Sequence, residues 1–368
     1  MIGFIKDKIS RIDPVIFICT SLLSLISMIV LIGAHDSEFG GMRTIIMQAG
    51  MTVLGLLFMV AIANIDFSNV PTWFFIFVYG FSAVFLIILL FVGENAGDNI
   101  NWVKIPVINI SVQPSEFVRA SFILTFAKHL STVGDEINRP KNILALGAHA
   151  GFVFALLLIT GDLGMMLVYL GIALVMLFCA GLSKWYAIGG AGAVTVAFPF
   201  LWDMLAEYQQ KRIIVGFNPD IDPLEWGRHQ IQSRGAIAGG GFFGRGLFGA
   251  GSFKSMYGCI TDFFFSSYAE MFGLVGCILL IGIYIALVWR LIRLAAGCGD
   301  SFSALLIAGV IGMIVVQTVE NIGMCLCLLP VVGITLPFLS AGGSSVLSIY
   351  MIIGIAHSAA GNSRKMYR

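Results

Sequence analysis

Ten runs of mostly apolar residues, each about twenty long, follow one another along this chain, and that pattern limits its fold more than anything else in it. They fall at roughly 14–33, 43–64, 71–93, 114–132, 143–160, 162–182, 185–204, 263–289, 302–324 and 343–360. One water-facing globule of 368 residues cannot bury that much apolar surface. A lipid bilayer accepts it, because each run can close its backbone hydrogen bonds as a helix. Composition agrees: 58% of residues are hydrophobic and 11% charged, where soluble domains carry about 25% charged residues. The expectation is an all-α polytopic membrane protein, one integral membrane domain over residues 1–368. The fourth run is the most polar, since "PSEFVRASFILTFAKHLS" holds Glu116 and Arg119.

Ten spans place both termini on one side, and the basic residues say which. With the termini inside, 12 of the 21 Lys and Arg residues fall in cytoplasmic segments, among them Lys6, Lys8, Arg11, Arg290, Arg293 and Arg368. The short outer loops hold Arg43 and Lys104. A large loop between the seventh and eighth spans, about 205–262, is then extracellular. The basic start precedes a run too long for a signal-peptide core, so no cleaved leader is expected. The seven cysteines are scattered, and no CxxC pair or His-rich tract suggests a metal site. No basic stripe points to nucleic acid.

Charged residues within spans are costly and mark candidate functional sites. Glu116 and Arg119 are three apart, share a helix face and can pair. Asp162, in "TGDLG", either caps the sixth span or faces a substrate. Gln317, Glu320 and Asn321 near the outer end of span nine read as an interhelical polar network. Asp262 and Glu270 flank the start of span eight. Asp262 is either a cap or a chemical group. Glu270, about 12 Å further along a helix and turned by some 80°, is assigned to structure or cavity lining.

The outer loop carries Lys211, Arg212, Arg228, Arg234 and Arg245. Its stretch "GAIAGGGFFGRGLFGAG" has eight glycines in seventeen positions. Such a backbone can approach a phosphate closely and offer it N–H groups, or it can simply be a flexible connection. Near the end, "NIGMCLCLLPVVGITLPFLSAGGSS" breaks an apolar run with Pro330, Pro337, Gly342 and Gly343. Irregular backbone at membrane depth has to be buried or line a cavity. Residues about 325–342 therefore read as a re-entrant-like outer loop roofing one.

That last stretch resembles the signature of the SEDS family (shape, elongation, division and sporulation; RodA/FtsW/SpoVE-like), ending in Ser344 and Ser345. "QPSEFVRAS", "DLG" at Asp162, "GAIAGGGFFGRG" and "TDFFFSSYAEMFGLVG" resemble further family motifs in the family's order, covering roughly residues 95–350. The chain is a divergent member. It has "DNINW", Asp98 to Trp102, where the family has Gly-Ala-Arg-Arg-Trp, and Arg119 where the family has Lys.

The resemblance implies a peptidoglycan glycosyltransferase that polymerises lipid II at the outer face of the cytoplasmic membrane, alongside a class B penicillin-binding protein. Asp262 falls on the family's essential acidic position. Implied substrate contacts are Trp102, Glu116, Arg119, Asp162, Arg212, Arg245, Ser344 and Ser345. Arg119 is the favoured positive group because it matches a motif position. No cofactor is evident, although a divalent cation could help neutralise pyrophosphate. The alternatives are a flippase for a lipid-linked precursor and a non-catalytic scaffold for the penicillin-binding protein.

Overall fold

Asp13 and Pro14 start the first long helix. The Asp13 carboxylate accepts from the backbone N–H groups of Val15 and Ile16, and proline fits a first turn that needs no N–H donor. The structure is a computed structural model describing residues 11–96, 99–105, 110–205 and 207–366. Lys6, Lys8, Asp98 and Arg368, used in the sequence reading, lie outside these residues.

The helices are α1 (Pro14–Gly33), α2 (Met42–Ala63), α3 (Thr72–Val92), α4 (Pro114–Val133), α5 (Pro140–Ile159) and α6 (Leu163–Cys179). They continue with α7 (Lys184–Met204), α8 (Glu207–Phe217), α9 (Arg228–Gly240), α10 (Phe264–Ala296), α11 (Ser301–Cys325) and α12 (Gly343–Met366). A helix thus stands at each apolar run. Among the described residues seven are long and apolar enough to cross a membrane: α1, α2, α3, α5, α10, α11 and α12. α6 is apolar but has 17 residues, and α4 carries the buried Glu116 and Arg119.

The molecule is inverted relative to a soluble protein. Phe91 and Phe178 are 83% and 80% exposed, while Arg119, Gln317 and Asn321 are fully buried. Apolar side chains face outward where hydrocarbon would lie, and polar ones turn to the interior.

Two expectations need correction. The protein is not all-α. Strands β1 (Glu94–Ala96), β2 (Asn99–Ile105) and β3 (Ile110–Val112) form a small antiparallel sheet between α3 and α4, with Val103 opposite Val112. Ile, Val and Asn alternate through this stretch, a strand pattern too short to show against the apolar runs. The stretch 205–262 is also not plain loop, because α8 and α9 lie within it.

Helices α2 and α12 pack side by side in the same direction. A Cβ on Gly343 would lie 3.2 Å from Met51, one on Gly55 2.7 Å from Tyr350, and one on Gly354 2.9 Å from the Met59 carbonyl. Small residues let the two backbones approach. The contacts advance together along both helices, and the start of α12 lies beside Gln48 and Met51, about two turns into α2.

Helix α10 is broken at Gly273, whose φ of 65° and ψ of −167° are not helical. The part from Leu274 to Ala296 is about 35 Å long at 1.5 Å per residue and suffices for a hydrocarbon core of about 30 Å. Phe264–Phe272 is a separate short helix ahead of it.

Candidate active site

Asp262 sits in the turn before α10, and its backbone is held from two sides. The Asn321 side-chain amide of α11 donates to the carbonyls of Asp262 and Ile334, both at 2.7 Å. From the irregular segment 326–342, the Ser340 hydroxyl donates to Thr261 O at 2.5 Å, and Ala341 N–H donates to Ile260 O at 2.8 Å. The Asp262 side chain does not cap the helix. The cap position is Phe263, without a side-chain hydrogen bond.

The carboxyl instead faces a polar cavity of about 410 Å³. The irregular segment forms one wall through Pro330–Gly333 and Thr335, and Gly333 reaches the left-handed region at φ +69°. A Cβ there would lie 3.6 Å from Asp262 Oδ2. Ser344 and Ser345 from the start of α12 and Trp102 from β2 complete the surround.

Arg212 of α8 is the one Arg or Lys lining the cavity among the described residues. Gly216, one turn later, sets its position. A Cβ on Gly216 would lie 2.4 Å from Pro330 Cα, so this face of α8 rests directly on the irregular segment. Burial pushes the Asp262 carboxyl up to about 6, against the opposing pull of the Arg212 charge.

Asp162 caps α6 and also lines the cavity. Its Oδ1 accepts from Met165 N–H at 3.2 Å. Its Oδ2 accepts from Gln113 at 2.8 Å and Ser115 at 3.2 Å. Burial raises its carboxyl, and these donors with Asn101 oppose the rise. Asp162 thus caps α6 while lining the cavity.

Glu116 and Arg119 do pair, at 2.5 Å. Ser348 bridges them, accepting from Arg119 and donating to Glu116, each at 3.1 Å. Glu116 lines the cavity, but Arg119 does not. Arg119 lies fully buried behind it, with Nε and Nη1 unbonded among the described residues. The favoured positive group of the sequence reading is thus locked to its neighbour, and Arg212 is the arginine that lines the cavity.

The glycine-rich stretch also differs from expectation, because it closes the break in α10. Gly241 and Phe242 carbonyls accept from Leu274 and Val275 N–H at 2.9 and 3.1 Å, while Arg245 and Gly246 N–H donate to Glu270 and Met271 carbonyls at 2.9 and 3.0 Å. The backbone groups freed at Gly273 are met by another backbone, as a buried helix end requires. Gly244 has φ +80°, and a Cβ on it would lie 2.1 Å from Met271 O. These close contacts account for Gly244 and, with a Cβ position 2.1 Å from Ala269 O, for Gly240.

Glu270 belongs to the same construction. It is fully buried and accepts from Gly251, Ser252 and Phe253 N–H at 3.0–3.1 Å. Arg245 pairs with it at 3.5 Å. Neither lines the cavity. Glu270 therefore holds the loop, and Arg245 is not positioned as a contact in this cavity. Lys211 and Arg234 lie in exposed pairs with Glu207 and Asp220.

The expected network of Gln317, Glu320 and Asn321 does not form. Asn321 turns to Asp262, while both Gln317 amide atoms and Glu320 Oε2 lack hydrogen-bond partners among the described residues. Pro330 and Gly342 line the cavity, whereas Pro337 and Gly343 do not. The Pro337 carbonyl accepts from Tyr284. Asn101, Gln209, Tyr257 and Thr335 line the cavity without having been singled out in sequence. Only their closeness to motif residues could have flagged them.

Fold and site define a multi-pass membrane protein with three carboxylates, Glu116, Asp162 and Asp262, and one arginine lining a polar cavity under an irregular roof. The chain belongs to the cell cycle protein family of FtsW, RodA and SpoVE, whose profile matches residues 13–365. It is 33% identical to stage V sporulation protein E of Bacillus subtilis, over 96% of this chain and 98% of that one. It is 32% identical to peptidoglycan glycosyltransferase MrdB of Escherichia coli K12, over 96% and 94%. Among solved structures, a chain from work on structural coordination of polymerization and crosslinking by a peptidoglycan synthase complex superposes with a TM-score of 0.82. It is 27% identical and covers 97% of this chain and 98% of its own. RodA of Thermus thermophilus shares the fold, with a TM-score of 0.72, 24% identity and coverage of 95% and 97%.

Proposed function

We propose that this protein is a peptidoglycan glycosyltransferase that polymerises lipid II into β-1,4-linked glycan strands, with Asp262 as general base. Curated relatives named peptidoglycan glycosyltransferase support the class. The observation that carries the assignment is the Asp262 carboxyl, raised to about 6, facing a polar cavity with Arg212.

The growing chain is the donor, joined through its anomeric carbon to polyprenyl pyrophosphate. The 4-hydroxyl oxygen of the incoming lipid II attacks that carbon from the face opposite the pyrophosphate. The new C–O bond forms as the bond to pyrophosphate breaks, and Asp262 takes the hydroxyl proton. A positioned general base is worth about 10²–10⁴-fold in rate. Arg212 meets charge growing on the leaving pyrophosphate, where preorganised positive charge acts most strongly. Glu116, Asp162, Trp102, Ser344 and Ser345 line the same cavity and hold the sugars and their pyrophosphate.

A divalent cation shared with the pyrophosphate would find few protein ligands. No three His, Cys, Asp or Glu side chains converge among the described residues. Asp162 already accepts from several donors, and Arg119 occupies Glu116 Oε2. No step above depends on a cation.

In this reading all ten long helices span the cytoplasmic membrane as a single domain. Both termini are inside, and the cavity opens outward, where lipid II is displayed. The partner is a class B penicillin-binding protein, which would cross-link the product. The similarity to a chain from a complex for polymerization and crosslinking supports such a pairing.

Polymerisation of purified lipid II by the solubilised protein, with and without its partner, tests the proposal. Glycan from the wild type and none from an equally folded Asp262→Ala variant is expected. Equal polymer from both would remove Asp262 as the base, and no polymer from either would remove the assigned activity.

A further inference from the structure

Among the described residues two aromatic side chains line the polar cavity, Trp102 from β2 and Tyr257 from the turn that leads to Asp262. Tyr257 lies outside every motif that carries the family resemblance. It is 64% exposed, but its ring is braced from two sides. Phe39, from the segment between α1 and α2, meets it edge to face, with centroids 5.3 Å apart and planes at 84°. His229 of α9 lies against it at 5.9 Å and 41°. His229 also lies 6.4 Å from the ring of Phe263, the residue after Asp262. Glu38 N–H donates to the Lys254 carbonyl at 3.4 Å, which ties the segment of Phe39 to the stretch before Tyr257.

The turn itself fixes the ring relative to the base. The Gly258 carbonyl accepts from Thr261 N–H at 3.0 Å and from Phe263 N–H at 2.9 Å, closing the backbone on both sides of Asp262. Gly258 has φ +74°, and a Cβ on it would lie 3.8 Å from Asp262 Cβ. Tyr257 is therefore one residue from a backbone position in contact with the base, and both side chains line the same cavity.

A braced ring left open beside a carboxylate suits one ligand chemistry. A pyranose carries hydroxyls around its edge and C–H groups on its faces. Glu116, Asp162, Gln113 and Ser345 supply the polar partners an edge needs. A face needs an apolar surface, and the negative π cloud of an aromatic ring attracts polarised C–H groups. A pyrophosphate gains no charge from a neutral ring. A polyprenyl chain is poorly matched to a cavity lined by three carboxylates and an arginine.

We propose that Tyr257 stacks on a sugar ring of lipid II held beside Asp262, and so selects the substrate by its saccharide. This rests on the glycosyltransferase reading and adds a specificity-determining residue to it.

The test places a fluorescent ring at this position, as Tyr257→Trp in purified full-length Asp262→Asn protein. Lipid II and polyprenyl pyrophosphate without sugars are compared at concentrations where native mass spectrometry shows each one bound. Lipid II should change the tryptophan emission, relative to protein with Tyr257 intact, and the sugar-free lipid should not. Equal changes with both lipids, or no change with lipid II bound, would overturn the proposal and leave the polymerase reading intact. No lipid II bound to either protein would overturn both.

In protein with Asp262 intact, Tyr257→Ala should raise the KM for lipid II about tenfold, with the loss falling on KM rather than kcat. Tyr257→Phe keeps the ring and should recover most of that loss. Tyr257→Leu keeps apolar bulk without a π face and should behave like the alanine variant. Leucine matching phenylalanine, or a fall in kcat at unchanged KM, would count against stacking. The phenylalanine and leucine variants keep the series interpretable if the alanine variant folds poorly.

Discussion

One side-chain amide joins the base to its roof: Asn321 Nδ2 lies 2.7 Å from Asp262 O and 2.7 Å from Ile334 O. It holds the turn carrying the carboxyl against the segment that lines the cavity. Replacing it by Leu leaves two buried carbonyls without this donor, at a cost of about 1–3 kcal/mol each. Asn321→Leu should lower kcat about tenfold or more while Asp262 itself is unchanged. Initial polymerisation rates at saturating lipid II check this, and an unchanged rate would show that the turn is held well enough by Ser340 and Ala341.

Polymerisation should rise with pH through about 6, where Asp262 becomes the carboxylate that accepts the proton, and then level off. The Arg212 charge favours that carboxylate. Arg212→Gln should therefore move the inflection upward as well as slow the reaction. An inflection that stays in place would place Arg212 too far from the base to act on it.

The same carboxyl should weaken the fold. Its folded value, about 6, is above the ordinary 3.8, so the folded protein binds this proton more tightly than the unfolded chain. The associated stability is present below about pH 4 and is lost as pH rises through about 6. Asp262→Asn avoids that loss. Its melting temperature should exceed the wild type's by a few degrees at pH 8, on the order of 1–2 kcal/mol for a chain this size, and match it near pH 4. Equal melting at pH 8 would mean water reaches the carboxyl freely.

Two glycines of the outer loop should respond in opposite ways. Gly244→Ala places a Cβ against Met271 O at a left-handed position and should lower the melting temperature markedly. Gly251 has open space around its Cβ position and no such backbone demand, so Gly251→Ala should be nearly neutral. Equal losses would point to flexibility, rather than closure of the α10 break, as what the glycines provide.

Much of this was legible in sequence for reasons that can be named. Apolar runs report helices because hydrocarbon enforces backbone closure, and every run found carries one. Asp262, Ser344 and Ser345 were named from motifs, Arg212 from the basic charge of the outer loop, and the four share one cavity. The burial of Arg119 was hidden because spacing predicts its pairing with Glu116 but not Ser348 packing in from α12. The loop's purpose was hidden because Gly273 looks like any small residue in an apolar helix. Only its backbone conformation reveals the break that residues 241–246 fill.

The break at Gly273 makes α10 a jointed element rather than a rod. Its long shaft, from Leu274 onward, presents side chains such as Ile278, Leu279 and Ile285 outward. Its short head is clasped by Asn321, Ser340 and the glycine loop close to Asp262. A sideways push on the shaft therefore reaches the carboxyl through a swivel and a set of clamps, with much of the motion absorbed on the way. The outward face of the shaft can change its residues, or tilt to suit a thicker or thinner bilayer, without re-aiming the base.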